Sequence, residues 1–392
     1  MYYFVPSWYA QKNSWLMSEK TWSQVGKAEF DDTVSQIRMF RKENEEVCLV
    51  QLAYAPQLRR YMHKQNIWPM ETWSAFDLLQ GLSGTEMALF SYHDLSFPEE
   101  IEWVYSSFAM LGYLEDRLYA RLQYNDAGAI MQIDFCDHDR TYKRFHIDDR
   151  GLLSAVSYIE NDIELKREFY NSVQQLQFTW DFETDQVKVE EDTVYPFRYR
   201  QYDSMNALLT EAFDKLARKM EDNDVLLLAS NAQHNRLIMD RAKDHQTVLS
   251  FFGDRYDVEH EEDLQLDVNS ASFLVTDTES LSKMIREHCE PGNKRIMDIS
   301  PFDTRLSLGK SQQIKALKVF CPIDGMQEPI RTRALKQMLE VLQSDEKIQL
   351  ILALKSPRDE DVGALRNEMK LLASELEGDR LIVENEVMDD GG

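Results

Sequence analysis

The stretch Arg140–Asn161, RTYKRFHIDDRGLLSAVSYIEN, decides how this chain folds. TYKRFHIDD and LLSAVSYIEN are two segments of period two, and Asp149–Gly151 between them has the composition of a tight turn. The segment therefore reads as a β-hairpin. Its neighbours share the habit: RLYARLQYND, GAIMQIDFCD, QLQFTWDF and QVKVEED alternate likewise, with further turns at Asn125–Gly128 and Asp137–Arg140. From about Leu114 to Arg200 the chain is expected to form an antiparallel meander.

Outside that block the pattern is different. Tyr2–Val5 is a buried strand stopped by Pro6, and FDDTVSQIRMFRKENEE carries apolar residues at helical spacing behind caps at Asp31 and Asp32. EVCLVQLAY is a second strand and APQLRRYMHKQNIW a second helix. Strand and helix alternation means βαβ units on a parallel sheet. It resumes after Arg200 with MNALLTEAFDKLARKM, VLLLAS, HNRLIMDRA, TVLSFF, ASFLVTD, SLSKMIREH and RIMDIS. The connector SPFDTRLSLGKS then precedes KALKVFCPID, PIRTRALKQMLEVL, IQLILAL, LRNEMKLLASEL and RLIVEN. The expected organisation is a first α/β domain over 1–113 and 201–300, an insertion over 114–200, a connector over 301–315 and a second α/β domain over 316–392. About three strands are few for a doubly wound sheet, so the second domain is expected to be incomplete.

Composition narrows the function classes. The chain has 392 residues, 43% of them hydrophobic and 29% charged, which is the composition of a folded globular protein. A net charge of −25 disfavours general binding to nucleic acid or docking on anionic lipid. The cysteines Cys48, Cys136, Cys289 and Cys321 make no disulfide framework; Cys48 and Cys321 fall in apolar runs and are expected to be buried thiols. No window reads as a membrane span, and the aromatic opening MYYFVPSWYAQKNSW lacks the basic start and cleavage site of a signal peptide. The expected location is the cytoplasm.

Four groups of residues invite chemistry. LGKS at Leu308–Ser311 has the ending of a phosphate-binding loop, but Thr304 stands where that motif needs glycine. Asp134, Cys136, His138 and His146 have metal-ligand types, although an exposed polar sheet face explains them equally and no metal is assigned. His93 and Asp94 follow the run MALF, where a strand-end loop could do acid/base work or Asp94 could simply cap the turn. GLSG at Gly81–Gly84 lacks the spacing of a nucleophile elbow.

Two α/β domains with an antiparallel insertion resemble the GT-B glycosyltransferase architecture. The quoted hairpin looks like the β-sheet add-on of bacterial glycosyltransferases that modify polypeptides or wall polymers, where the add-on grips the acceptor. More specifically, MYYFVPSWY, EFDDTVSQIRMFR, FSYHDLSFPEEIEW and DISPFDTRLSLGKSQQIK resemble the first accessory secretory proteins of the accessory Sec system of streptococci and staphylococci. That resemblance covers essentially the whole chain, and the family's members run longer.

It implies a part in the export of serine-rich repeat adhesins, which are glycosylated in the cytoplasm and passed to a dedicated motor ATPase. It also implies a complex with two companion accessory secretory proteins, one hydrolase-like and O-acetylating the adhesin's GlcNAc, the other resembling a carbohydrate-binding β-sandwich. Any membrane association would be peripheral, through the export machinery. No cofactor is expected.

Two functions stay open. The first is a non-catalytic scaffold that binds glycosylated adhesin; the second is an active GT-B enzyme using a nucleotide sugar. The loop after the first strand, PSWYAQKNSW, has no glycine to wrap a diphosphate, which favours the scaffold. In the second domain's first turn Glu328 would repel phosphate, while Arg331 and Arg333 could bind it if the chain is an enzyme. For the scaffold, the aromatics Trp8, Tyr9 and Trp15, with His93 and Asp94, are the candidate glycan or partner contacts. Packing of the same aromatics against neighbouring structure is the competing expectation.

Overall fold

A computed structural model describes residues 1–10, 14–17, 31–82, 84, 87–88, 90–106, 109–125, 127–253, 255–256, 261–290, 295–299, 317–323, 326, 328–345, 347–353 and 381–384. The chain divides into two units, Met1–Phe302 and Asp303–Gly392. The connector with LGKS, and the helix expected at LRNEMKLLASEL, lie outside the described residues.

The first unit begins with alternating elements: β1 (Tyr2–Val5), α1 (Asp32–Lys42), β2 (Val47–Gln51), α2 (Leu58–Lys64), β3 (Glu71–Ser74) and α3 (Ala75–Gln80). All five residues of β2 are buried, as in a parallel strand covered on both faces. Asp31 caps α1, its carboxylate accepting from Val34 N–H, as expected, whereas Asp32 is the first helical residue and turns its carboxylate to Arg255 instead of capping. The strand ETWS of β3 was not read from the sequence; Glu71, Thr72 and Ser74 leave it too polar to stand out.

The alternation returns with α4 (Met205–Ala217), β14 (Val225–Ala229), α5 (Ala232–Met239), β15 (Gln246–Phe251), α6 (Glu261–Ser270), β16 (Phe273–Thr276), α7 (Glu279–Glu287) and β17 (Ile296–Asp298). The parallel sheet has the order β3-β2-β1-β14-β15-β16-β17. Strand β1 pairs with β2 on one side and β14 on the other, Tyr2 lying opposite both Val47 and Val225. The winding therefore reverses at β1/β14.

Ten strands form the second, antiparallel sheet: β4 (Glu102–Tyr105), β5 (Ala109–Leu114), β6 (Arg117–Tyr124), β7 (Ile130–Asp137), β8 (Arg140–Ile147), β9 (Leu153–Glu160), β10 (Ile163–Tyr170), β11 (Leu176–Asp181), β12 (Val187–Val189) and β13 (Gln201–Tyr202), paired in sequence order. The meander is thus as expected but starts at Glu102 rather than near Leu114. Strand β10 is likewise hidden in the sequence. Its IELKREFY hides the inward Phe169, fully buried, among Lys166, Arg167 and Glu168.

The decisive hairpin is β8–β9. Gly151 in its turn has φ +82°, and a Cβ there would lie 2.1 Å from the carbonyl oxygen of Ala88. Only glycine fits that approach. The two sheets share one core, in which Phe169 and Phe178 stack at 4.6 Å and Phe169 meets Phe76 of α3 at 5.2 Å. Ion pairs, buried or partly buried, stitch the seam: Arg150 reaches Asp77 at 2.9 Å and Asp148 at 2.7 Å, and Arg59 reaches Asp149 at 2.9 Å.

In the second unit β18 (Leu317–Pro322), α8 (Glu328–Ser344), β19 (Ile348–Ala353) and β20 (Leu381–Glu384) form a parallel sheet of order β18-β19-β20. Its core joins Cys321, Leu335, Leu339, Leu342, Leu350 and Leu352. Cys48 and Cys321 are buried thiols outside any disulfide, as expected. Among the described residues no helix is long and apolar enough to cross a membrane.

Candidate functional site

In open α/β sheets ligands settle beyond the carboxyl ends of the strands where the winding reverses. Here that place lies beyond β1 and β14, and it is built from the loop after β1, the start of α5 and the start of α1. The loop doubles back on itself and along the end of β2: Ala10 N–H donates to Leu16 O at 2.8 Å, and Tyr54 N–H donates to Trp15 O at 2.8 Å.

Each aromatic of the loop is engaged. Trp15 is 5% exposed and lies in the shared core, with Tyr9 edge-on to it at 5.6 Å. The hydroxyl of Tyr9 is 2.7 Å from Nδ1 of His234, in the first turn of α5. Trp8 is half-buried, edge-on to Tyr61 at 4.7 Å, and its indole N–H donates to Asp31 at 2.7 Å. Asn231, the cap of α5, donates to Ser7 Oγ at 2.7 Å, and Gln233 donates to Ser14 O at 2.9 Å. The loop is thereby tied to the helix terminus across the reversal.

The start of α1 is filled with charge of its own. Asp31 takes the first-turn amide and the Trp8 indole. Burial and the neighbouring Asp32 push its carboxyl above the usual range, against the pull of the Val34 amide, Trp8 and Arg255. Asp32 is buried and held by both terminal nitrogens of Arg255, at 2.6 and 2.9 Å. Arg255 also donates to Ser250 O and Ser230 O, at the ends of β15 and β14. Burial, then the Arg255 charge, lowers His234 to about 3. The Tyr9 phenol is raised well above its ordinary value by burial. Neutral imidazole, neutral phenol and a closed ion pair thus occupy the crevice. That chemistry suits a rigid contact surface; a phosphate would meet two carboxylates there.

The loop and the cap at Asp31 are legible in the sequence, whereas the site roles of Asp32, His234 and Arg255 are not. The available signal was NAQH directly after a buried strand at the reversal. Arg255 carried none, because its role depends on a pairing 223 residues apart in the chain.

The other candidates lie elsewhere. His93 and Asp94 are exposed on a single 3-10 turn, Tyr92–Asp94, in a segment packed on the antiparallel sheet. Met87, Ala88 and Phe90 are not in a strand, so no strand-end loop of the parallel sheet forms there. Asp94 closes a capping box, accepting from Ser91 N–H at 2.8 Å. Arg331 and Arg333 lie in the first turns of α8, Arg333 exposed beside Lys336.

The metal-ligand types diverge. A register shift at Phe135/Cys136 breaks their common face. Asp134 pairs with Arg144 at 2.6 Å, His146 is buried against Ser157 at 2.8 Å, and His138 meets Asp137 on an exposed turn. Asp134 and His146 are therefore interior groups rather than part of an exposed polar face. Among the described residues no group of three His, Cys, Asp or Glu side chains could hold a metal ion. Gly81 is the left-handed cap that ends α3.

The fold is similar to solved structures. The glycosylation-associated protein complex (Gap123) of Streptococcus agalactiae contains a chain with TM-score 0.84 and 24% identity, covering 98% of this chain and 79% of that one. The complex of accessory secretory proteins 1, 2 and 3 from Streptococcus pneumoniae gives 0.83 and 24%, covering 98% and 78%. The pneumococcal O-GlcNAc transferase GtfA, solved with UDP and GlcNAc, gives 0.66 at 9% identity, covering 99% and 76%. These neighbours fix the fold as GT-B-like, as the sequence suggested. Among curated relatives, the accessory Sec system protein of this type from Streptococcus gordonii is 29% identical over 381 residues, 96% of this chain and 72% of the relative. Its Staphylococcus aureus counterpart is 26% identical over 364 residues, 92% and 70%. The family model of this accessory Sec system protein matches residues 1–391, and the chain therefore belongs to the family of accessory secretory protein 1 of the accessory Sec system.

Proposed function

We propose that this accessory Sec component works without sugar transfer, scaffolding a complex with two companion accessory secretory proteins and holding glycosylated serine-rich repeat adhesin for modification and delivery to its motor ATPase. One observation carries the non-catalytic part. The crevice at the reversal of the parallel sheet is closed by the chain's own groups, with Asp31 on the α1 amides and Asp32 on Arg255. A diphosphate would have to displace two carboxylates to reach either. The complexes in which similar chains were solved support the companions. Trp8 and Tyr9, with Trp15 buried beneath them, form the proposed glycan or partner contact of the first unit; His93 and Asp94 belong to a separate surface on the antiparallel sheet. The protein acts in the cytoplasm, reaching the membrane only through the export machinery.

A second reading rests on Arg333 and Lys336 exposed near the start of α8, where a nucleotide sugar's phosphates could bind in an active GT-B enzyme. Calorimetry separates the two. Binding of a GlcNAc-decorated Ser/Thr-rich peptide with no heat from UDP-GlcNAc supports the scaffold. UDP-GlcNAc binding accompanied by sugar transfer overturns it. Co-purification with the two companion proteins tests the complex directly; their failure to associate sinks that part.

A further inference from the structure

The two edges of the antiparallel sheet are treated differently. One ends in β13, only two residues long and separated by a single residue from Ser204, the cap of α4. The other ends in β4, which among the described residues pairs on one side only, with β5. Proteins usually blunt a free edge with Lys, Pro, a bulge or a covering element, because its unpaired amides and carbonyls recruit other strands. Glu102–Tyr105 carries neither Lys nor Pro, and its register against β5 runs without a shift.

The strand is held firmly. Trp103 lies over Gly112, where a Cβ would come within 2.7 Å of its ring, and Phe97 and Tyr92 pack edge-on to it at 5.0 and 5.4 Å. Yet Val104 is 51% and Tyr105 69% exposed, one on each face of the strand. A firmly held edge with an unshifted register and two exposed apolar side chains has the properties of a strand-pairing site. Its surroundings select the occupant. Glu99, Glu100 and Glu102 are exposed beside it, and no Lys or Arg occurs between Lys64 and Arg117. Pairing two copies edge to edge would bring those carboxylates together, which disfavours self-association.

We propose that β4 is a docking edge for an extended segment of a partner protein, one alternating apolar residues with Lys or Arg, which adds to the sheet as an eleventh strand.

The probe is a synthetic nonapeptide alternating Lys and Val, with a Glu/Val peptide as its control, titrated into the whole chain. Saturable binding is expected for the basic peptide, with slowed amide exchange at residues 102–105. Ser106 N–H donates inward to Ala109 O, so in the alternating ladder the amides of Trp103 and Tyr105 face the free edge. Tyr105→Pro keeps the charge but removes an edge amide, and should weaken binding at least about tenfold; Tyr105→Ala serves if the proline variant loses the native melt. Failure of the basic peptide to bind, equal binding of the acidic peptide, undiminished binding by both variants, or protection elsewhere overturns the proposal. A dimer in sedimentation that Tyr105→Pro abolishes also overturns it, by assigning the edge to a second copy.

Discussion

The hydroxyl of Tyr9 and Nδ1 of His234 meet at 2.7 Å although 225 residues separate them in the chain. This bond ties the loop after the first strand to the first turn of α5, and so holds shut the place where a doubly wound sheet ordinarily receives a ligand. Tyr9→Phe leaves a buried imidazole nitrogen without its partner, which costs about 1–3 kcal/mol. Urea unfolding should show that loss as a lower midpoint with an unchanged slope. A stability equal to the parent's would mean the loop is not held through this contact.

His234 also makes stability depend on pH. Its folded value is about 3, lowered from an ordinary 6.5 by burial and then by Arg255. Between those values the unfolded chain binds a proton that the folded chain refuses. The stabilising share is therefore full above about pH 6.5 and drains as the pH falls toward 3, by up to about 1.4 kcal/mol per unit. His146, lowered in the same direction by burial, adds to the slope. Buried carboxyls with raised values, such as Asp31 and Asp148, act in the opposite sense. The clean readout is a difference: His234→Gln should show a shallower loss than the parent between about pH 6.5 and 4. Parallel curves would contradict a neutral buried imidazole.

Asp32 and Arg255 form a pair whose side chains are 9% and 18% exposed. Removing one partner leaves the other charge stranded among carbonyls, so Asp32→Ala should cost about 3 kcal/mol. Arg255→Met removes the stranded charge, and the double variant should recover part of the loss. A double-mutant cycle in denaturant measures this coupling. Strict additivity would show that the two side chains do not stabilise each other. Asp32→Ala should also be the variant in which phosphate first gains a foothold on Arg255, detectable as a phosphate-dependent rise in melting temperature absent from the parent.

Gly151 sits in the turn of the hairpin that decides the fold. Its φ of +82° and the 2.1 Å approach to Ala88 O act together, so Gly151→Ala meets both backbone strain and overlap with backbone. A loss of at least about 2 kcal/mol is expected, at the upper end of single-residue overpacking costs. At Gly128, where φ is +79° but nothing lies within 4 Å, the same change meets the strain alone and should cost less. Equal thermal shifts for the two variants would show that the Ala88 contact gives way freely.

The parallel and antiparallel sheets were both legible in the chain because each rests on local periodicity. VCLV is continuously apolar, as suits a strand covered on both faces, and the stretch around Asp149–Gly151 alternates about a turn that needs glycine. Strands whose burial is set by distant partners were not legible: β10 shows mostly charge, and β4 looks like a loop until Trp103 is seen lying across Gly112. The same division holds at the site. The missing glycine after β1 could be read directly, and so could the cap at Asp31. That Trp15 is interior, that Tyr9 reaches His234 and that Arg255 clamps Asp32 depended on the reversal at β1/β14, which brings together segments more than 200 residues apart. Local sequence set which surfaces prefer the interior and which turns can form. Tertiary structure decided which polar groups meet inside, since a buried imidazole or carboxylate is stable only with its partner in place.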